Sequence, residues 1–318
     1  MNRKAEVLWH NKETSWIEPQ LLPELKKGQI LVRAIYSMIS QGTERTVITQ
    51  PLSEDAAQKM SVPYLQGSLV DSFTYGYSIV GEVISGSKTL IGKYVHLMHP
   101  HQDFLIAAEE DIFIIPDHIT LKEATLASNI ETAINAVWDA EISIGDRVLI
   151  YGYGTIGALI ANIVRNIPGV KCEVNEIDVV RRQLHLQHGI SMKSNTDYDV
   201  AFNTTANNKA LQEAITITRQ EGKIIELSWY GNKDTILNLG ADFHYGRKQI
   251  ISSQVSQIPH RKKSNWDYRS RKELCFRLLA ELDLNHLITK EVPFKDTPSF
   301  YHSLRQGEKN HLGIVIKY

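Results

Sequence analysis

A chain of 318 residues, 42% hydrophobic and 22% charged, is long enough for two globular domains and too apolar to be disordered. Its 35 Lys and Arg against 36 Asp and Glu leave a formal charge of −1, which lacks the basic surplus a dedicated nucleic-acid binder needs to displace counterions. The two cysteines, Cys172 and Cys275, sit far apart in no metal-ligand spacing, so neither a disulfide framework nor a cysteine zinc site is expected.

Up to about Pro116 the chain reads as short strands broken by Gly and Pro turns. Candidates are Ala5 to Trp9, Gln29 to Tyr36, Ser78 to Ile84 and Lys93 to Met98, with the texture of a β-barrel. Helices then alternate with strands. Leu121 to Leu126 and Ala133 to Ala140 read as helical, Arg147 to Tyr151 as a strand and Ile156 to Ile167 as a helix. The alternation continues through the strand Lys171 to Glu176, the helix Val179 to His188 and the strand Val200 to Asn203. The helix Ala210 to Arg219 and the strand Lys223 to Ser228 complete it. Such alternation implies a doubly wound parallel sheet. A charged helix over Arg271 to Leu282 and a strand near Ile314 to Ile316 form a tail that is expected to return to the first domain. No run reaches the ~18 apolar residues of a membrane-spanning helix, and Met1 to Glu6 lacks a signal-peptide core. A cytoplasmic protein without a membrane partner is expected.

Gly152-Tyr153-Gly154-Thr155-Ile156-Gly157 fits G-x-G-x-x-G. The pattern alone is weak, but here a buried strand precedes it and an apolar helix follows it. Glu176 lies 19 residues past Gly157, at a strand end. Gly152 would make the tight turn, Gly154 would let a pyrophosphate approach, and Gly157 would let the helix pack on the sheet. Thr155 and Ile156 open the helix whose N-terminal amides face the phosphates. Glu176 can accept hydrogen bonds from the ribose hydroxyls and would repel a 2′-phosphate, which favours NAD. Arg181 and Arg182, within helical reach, keep NADP open, although a solvated helix face also accounts for them.

These residues carry a resemblance. Gly145-Asp146-Arg147-Val148-Leu149-Ile150 leading into the glycine loop resembles the medium-chain dehydrogenase/reductase superfamily. Ile39-Ser40-Gln41-Gly42-Thr43-Glu44-Arg45, Tyr75-Gly76-Tyr77-Ser78-Ile79-Val80-Gly81 and His99-Pro100-His101-Gln102-Asp103 resemble a zinc-lacking branch of it, which includes bacteriochlorophyllide dehydrogenases and alcohol dehydrogenase-like proteins. The resemblance implies an α/β chain: a Rossmann doubly wound parallel sheet plus a GroES-like β-barrel catalytic domain. Residues 1–120 would form the catalytic domain and 121–258 the dinucleotide domain, with 259–318 returning to the first. It also implies a homodimer.

Zinc-dependent members carry a cysteine where this chain has Ser40-Gln41, and a histidine in G-H-E where it has Tyr77 and Ser78. Glu131 is the one plausible donor at the third position, and one carboxylate cannot hold a catalytic zinc. No zinc is therefore expected. Catalysis then falls to hydrogen bonding and acid–base groups. Tyr77 could donate a phenolic proton, or be a core aromatic with a satisfied hydroxyl. His99 and His101 could shuttle a proton, or one of them could simply pack. The resemblance makes Thr43 part of the proton relay. Glu131 is either a catalytic carboxylate or a stabiliser of a helix N-terminus. Glu44 reads as structural, pairing with Arg45 or a backbone amide. Ser228 ends a strand on the edge that would line the nicotinamide. His185 and His188 read as solvent-facing.

The leading expectation is an NAD-dependent oxidoreductase acting on a small secondary alcohol or ketone without catalytic zinc. An NADPH-dependent reductase of an activated C=C bond is one alternative. A non-catalytic dinucleotide-binding sensor is the other.

Overall fold

In β1 (Lys4–His10) burial alternates over Lys4 to Val7, and in β3 (Gln29–Ile39) Ile30, Val32 and Ala34 are buried with more exposed residues between them, so over these stretches each strand buries one face. A computed structural model describes residues 3–194 and 197–318. It divides the chain into two units, residues 1–128 with 276–318, and residues 129–275.

In the first unit, β1 pairs antiparallel with β2 (Ser15–Leu21) and β4 (Phe73–Thr74). A larger mixed sheet is organised on β3. Its antiparallel neighbours are β5 (Ile79–Ser85) and β7 (Phe104–Ala108). Beyond β5 lie β6 (Tyr94–Leu97) and β8 (Phe113–Ile114). The core between these strands is Ile30, Val32, Ile79, Val83, Val95 and Leu105, all fully buried. Two helices interrupt the head, α1 (Gln41–Thr49) and α2 (Glu54–Lys59). Next comes α3 (Leu121–Ala124), opened by a side-chain N-cap: the Thr120 hydroxyl accepts the Glu123 amide and donates to the Glu123 carboxyl. The chain then passes through α4 (Ala127–Ala140) into the second unit.

The second unit holds a six-stranded sheet, parallel throughout. Its strands are β9 (Arg147–Tyr151), β10 (Lys171–Asn175), β11 (Ser191–Met192), β12 (Tyr198–Asn203), β13 (Thr218–Glu226) and β14 (Gln249–Ser252). The spatial order β11-β10-β9-β12-β13-β14 reverses direction beside β9, which creates a switch point at the carboxyl end of that strand. Val148, Leu149 and Ile150 of β9 are completely buried, as the central strand of a sheet covered on both faces requires. The connecting helices are α5 (Thr155–Val164), α6 (Val179–Gln187), α7 (Asn208–Ile217) and α8 (Asp242–Tyr245). Asp178 caps α6 by accepting the Arg181 amide at 3.0 Å, and Asn207 caps α7. Through α9 (Tyr268–Glu281) the chain re-enters the first unit. There β15 (Ile288–Pro293) pairs in parallel with β16 (Gly313–Lys317) on either side of α10 (Thr297–Arg305), and β16 joins β3. The tail thus completes the sheet of the head.

Most strand and helix positions agree with the sequence pattern to within a few residues. No element is expected from the pattern between Tyr36 and Ser78, where α1 and α2 lie. Gly42 falls in the first turn of α1, where no neighbouring atom would meet a side chain and a weak helix former costs least. Among the described residues no helix is long and apolar enough to cross a membrane.

Candidate functional site

The glycine loop joins β9 to α5 at the switch point. Gly152 has φ +91°, a left-handed conformation that favours glycine. A Cβ on Gly157 would lie 2.1 Å from the Gly152 carbonyl oxygen, so the helix can approach the strand this closely only with glycine there. Gly154 is the N-cap residue of α5, and a Cβ on it would meet only the Arg181 guanidinium, at 3.6 Å. Thr155 and Ile156 are the first two residues of α5, where helix geometry supplies no intrahelical acceptor for the amides. This is a ready anion cradle.

Glu176 follows β10 and lies under the loop. Its carboxylate accepts the Tyr153 amide at 2.6 Å and the Asp178 amide at 2.8 Å. It therefore fixes the glycine loop and the start of α6 at once. Tyr153 packs edge-on against His185 of α6, with ring centroids 5.4 Å apart. His185 is fully buried and bonds the Ile190 carbonyl, contrary to the solvent-facing expectation. The reason is helical spacing: His185 is one turn beyond Arg181, and both face the loop. Ser228, just past β13, accepts the Ala206 amide and holds the Glu226 carboxyl through its own amide. Asn203 and Tyr230 also donate to that carboxyl, and burial raises its pKa.

In the first unit, Tyr77 sits between β4 and β5, beside the start of α1. The Ser40 and Thr43 hydroxyls hydrogen-bond with its oxygen. Burial pushes the phenol up to about 12 despite those bonds, and the nearby Glu44 carboxylate pushes in the same direction. Tyr77 is therefore a neutral O–H donor at physiological pH. Glu44 accepts the Ser40 amide at 2.6 Å and the Tyr301 hydroxyl, and faces His101 Nε2 at 3.4 Å. It bonds a backbone amide, as the sequence suggested, and not Arg45. His101 Nδ1 lies 2.8 Å from the Ser37 hydroxyl, which in turn meets the Tyr318 hydroxyl at 2.9 Å.

The other candidates are placed differently. His99 is buried, stacked on Tyr64 with centroids 4.9 Å apart, and bonded to its own Pro100 carbonyl. Burial lowers its pKa to about 4, so it stays neutral and packs. Glu131 lies in the second turn of α4 and not at a helix start. It pairs with Lys272 at 2.5 Å and with Arg271 at 3.3 Å, all three buried. Arg271 also bonds Asn135 and the Val255 carbonyl. Nothing local in the sequence announces Lys272, Arg271, Tyr301 or Tyr318 as partners, because they come from the far end of the chain.

Where the resemblance would place the thiolate and imidazole of zinc-dependent members, this chain has the hydroxyls of Ser40 and Tyr77. Ser78 donates to the Thr125 carbonyl at 2.6 Å, and Glu131 is held by two cations. Neutral hydroxyls are poor zinc donors, so this set does not fit the metal. Among the described residues no group of three or more His, Cys, Asp or Glu could hold a metal ion.

No family model matches the chain. Among curated proteins it is similar to D-arabitol-phosphate dehydrogenase of Enterococcus avium, 19% identical over 235 residues, covering 68% of this chain and 63% of the relative. It is also similar to D-guloside 3-dehydrogenase of Escherichia coli, 24% identical over 205 residues and 59% of each chain. The chain thus matches about three-fifths of the length of these relatives. It shares the fold of acetophenone reductase from Geotrichum candidum, solved with NAD, at a TM-score of 0.77 and 14% identity, covering 100% of this chain and 98% of that one. Other structures of this fold are described as zinc-binding dehydrogenases, one of them bound to NADP.

Proposed function

We propose that the chain is a nicotinamide-dependent oxidoreductase of the medium-chain dehydrogenase/reductase superfamily, a reading supported by its similarity to dehydrogenases and its shared fold with an NAD-bound reductase. It moves a hydride between the cofactor and a small secondary alcohol or ketone without catalytic zinc. The glycine loop carries this reading: Gly157 packed on the Gly152 carbonyl, Gly154 open at the N-terminus of α5, and Glu176 beneath. The names of the curated relatives, dehydrogenases of hydroxyl-bearing sugars and sugar alcohols, favour a hydroxyl or carbonyl substrate.

In this reading the first amides of α5 hold the pyrophosphate and Glu176 orients the ribose on the β10 side. Bound nicotinamide supplies or accepts the hydride. Tyr77 donates a hydrogen bond, and then its proton, to the carbonyl oxygen during reduction; in oxidation its phenolate takes the proton back. Ser40 and Thr43 stabilise the phenolate by donating to its oxygen. His101 acts behind this cluster, while His99 and Glu131 serve the scaffold. The reading includes a cytoplasmic homodimer; both cysteines are free, as a reducing compartment favours. NADP use remains the second reading on one observation, the Arg181 guanidinium beside Gly154.

The test is a fluorescence titration of chelator-washed protein with NADH and NADPH, followed by turnover of an alcohol and ketone panel. Tighter NADH binding, zinc-independent turnover and a loss of kcat of roughly 100-fold or more in Tyr77→Phe are expected. Binding of neither cofactor, or turnover only after zinc is restored, would overturn the proposal.

A further inference from the structure

Glu44 and His101 are buried to within 1% of full coverage, and neither is consumed by the chemistry just described. Their bonds have a direction. A carboxylate can only accept, so His101 Nε2 must donate to Glu44. In a neutral ring Nδ1 then accepts from the Ser37 hydroxyl, whose oxygen accepts from Tyr318. A serine, a histidine and a glutamate in this order could suggest a hydrolytic triad. Ser37 is completely buried, so no substrate could reach it.

The pair touches both segments that carry the hydroxyl cluster. The His101 amide donates to the Tyr75 carbonyl at 3.0 Å. The His101 ring fills the space beside Gly76, where a Cβ would stand 2.8 Å from Nε2. Gly76 has φ +125° and is the residue before Tyr77. On the other side, Glu44 holds the Ser40 amide at the N-cap of α1. The tail supplies the anchors, Tyr301 from α10 and Tyr318 after β16.

We infer that the Glu44–His101 pair is a positioning device for Tyr77, locking the Gly76–Tyr77 segment to the start of α1 so that Ser40 and Thr43 stay hydrogen-bonded to the phenol. The inference rests on the reading of Tyr77 as the proton donor. It also gives the tail a role: Tyr301 and Tyr318 hold the pair from behind. The ionisable groups around it are Tyr75, Tyr77, Tyr301 and Tyr318, with His10 and His99 beside His101, Arg305 beyond Tyr301 and Asp103 beyond Tyr318.

The test uses the full chain with tyrosine labelled by carbon-13 at Cζ, and Tyr77→Phe to assign the signal. In the wild type Tyr77 stays protonated through about pH 10, where an ordinary tyrosine is half ionised. In Glu44→Gln its signal shifts at neutral pH as Ser40 and Thr43 lose their hold on the phenol oxygen. Tyr301→Phe, which keeps the ring and the Glu44 charge, shifts it less and, by weakening two bonds that favour the phenolate, moves its ionisation further up; it serves if Glu44→Gln does not fold. A Tyr77 signal and titration identical to wild type in the folded variants would overturn the inference. Failure of the oxidoreductase reading is seen separately, as absent NADH binding or turnover indifferent to Tyr77→Phe.

Discussion

The two units carry their candidate chemistry in opposite ways. In the second, the glycine loop, the start of α5 and Glu176 fall within 25 consecutive residues, Gly152 to Glu176. In the first, the groups around Tyr77 come from residues 37 to 44, 75 to 77, 101, 301 and 318. The Glu44–Tyr301 bond alone spans 257 positions. The lesson is that a phosphate cradle is made by backbone, so a local run of glycines specifies it. A buried polar cluster is made by side chains, and only the closed fold brings them together.

The strongest challenge to this contrast lies inside the second unit. Glu131 and its partners are 140 and 141 residues apart in number, so that unit also depends on a distant polar cluster. Replacing Glu131 by Ala leaves Arg271 and Lys272 buried without their carboxylate. Stability should fall by about 3–5 kcal/mol. Denaturant unfolding measures this, and Lys272→Met in the same chain should restore part of it. A loss below about 1 kcal/mol would mean that the cluster is solvated, and the contrast between the units would stand undiluted.

The first unit should in turn be the acid-sensitive one. Burial holds His99 near pKa 4 and pushes His10 well below the usual histidine range. The unfolded chain, with histidines near 6.5, binds more protons in that interval, so folding loses stability as pH falls from about 6.5 toward 4. His99 alone accounts for about 3 kcal/mol at the acid end of the window, and none above it. His99→Phe keeps a ring against Tyr64 and removes the titration, so its stability should fall less steeply over the same interval. An unchanged slope would show that carboxylates elsewhere dominate acid unfolding.

What the sequence disclosed follows the same division. The order of elements and the doubly wound sheet were legible because apolar runs such as Val148-Leu149-Ile150 and the capped helices repeat at short range. The glycine loop was legible for the same reason. Tyr77 stood out because it replaces an expected histidine, and Thr43 because of its motif. His99 and His101 looked equivalent, and only burial and partners separate a packing ring from one that joins two segments. Glu131 looked available because its cations lie 140 residues away. The helix α1 was not legible; there the weak propensity of Gly42 is outweighed by burial of Val47 and Ile48.

The finest test separates the glycines of the loop from one another. Gly157→Ala drives a methyl to 2.1 Å from the Gly152 carbonyl oxygen, and backbone on both sides must yield. Overpacking of this kind costs about 1–3 kcal/mol and pushes α5 away from β9. The amides at its N-terminus move with it, so NADH affinity should drop by roughly 10- to 100-fold. Gly154→Ala meets only the end of the flexible Arg181 side chain at 3.6 Å, an ordinary contact, so the fold should hold. Any loss of affinity there must come from the methyl standing between the backbone and the pyrophosphate. The two variants therefore distinguish a loop that holds its shape from a loop that admits a ligand. If Gly154→Ala binds NADH as the wild type does while Gly157→Ala unfolds, the motif serves helix packing alone. If both bind poorly and Gly154→Ala keeps wild-type stability, the cradle is built for a phosphate, and the local half of the comparison is secure.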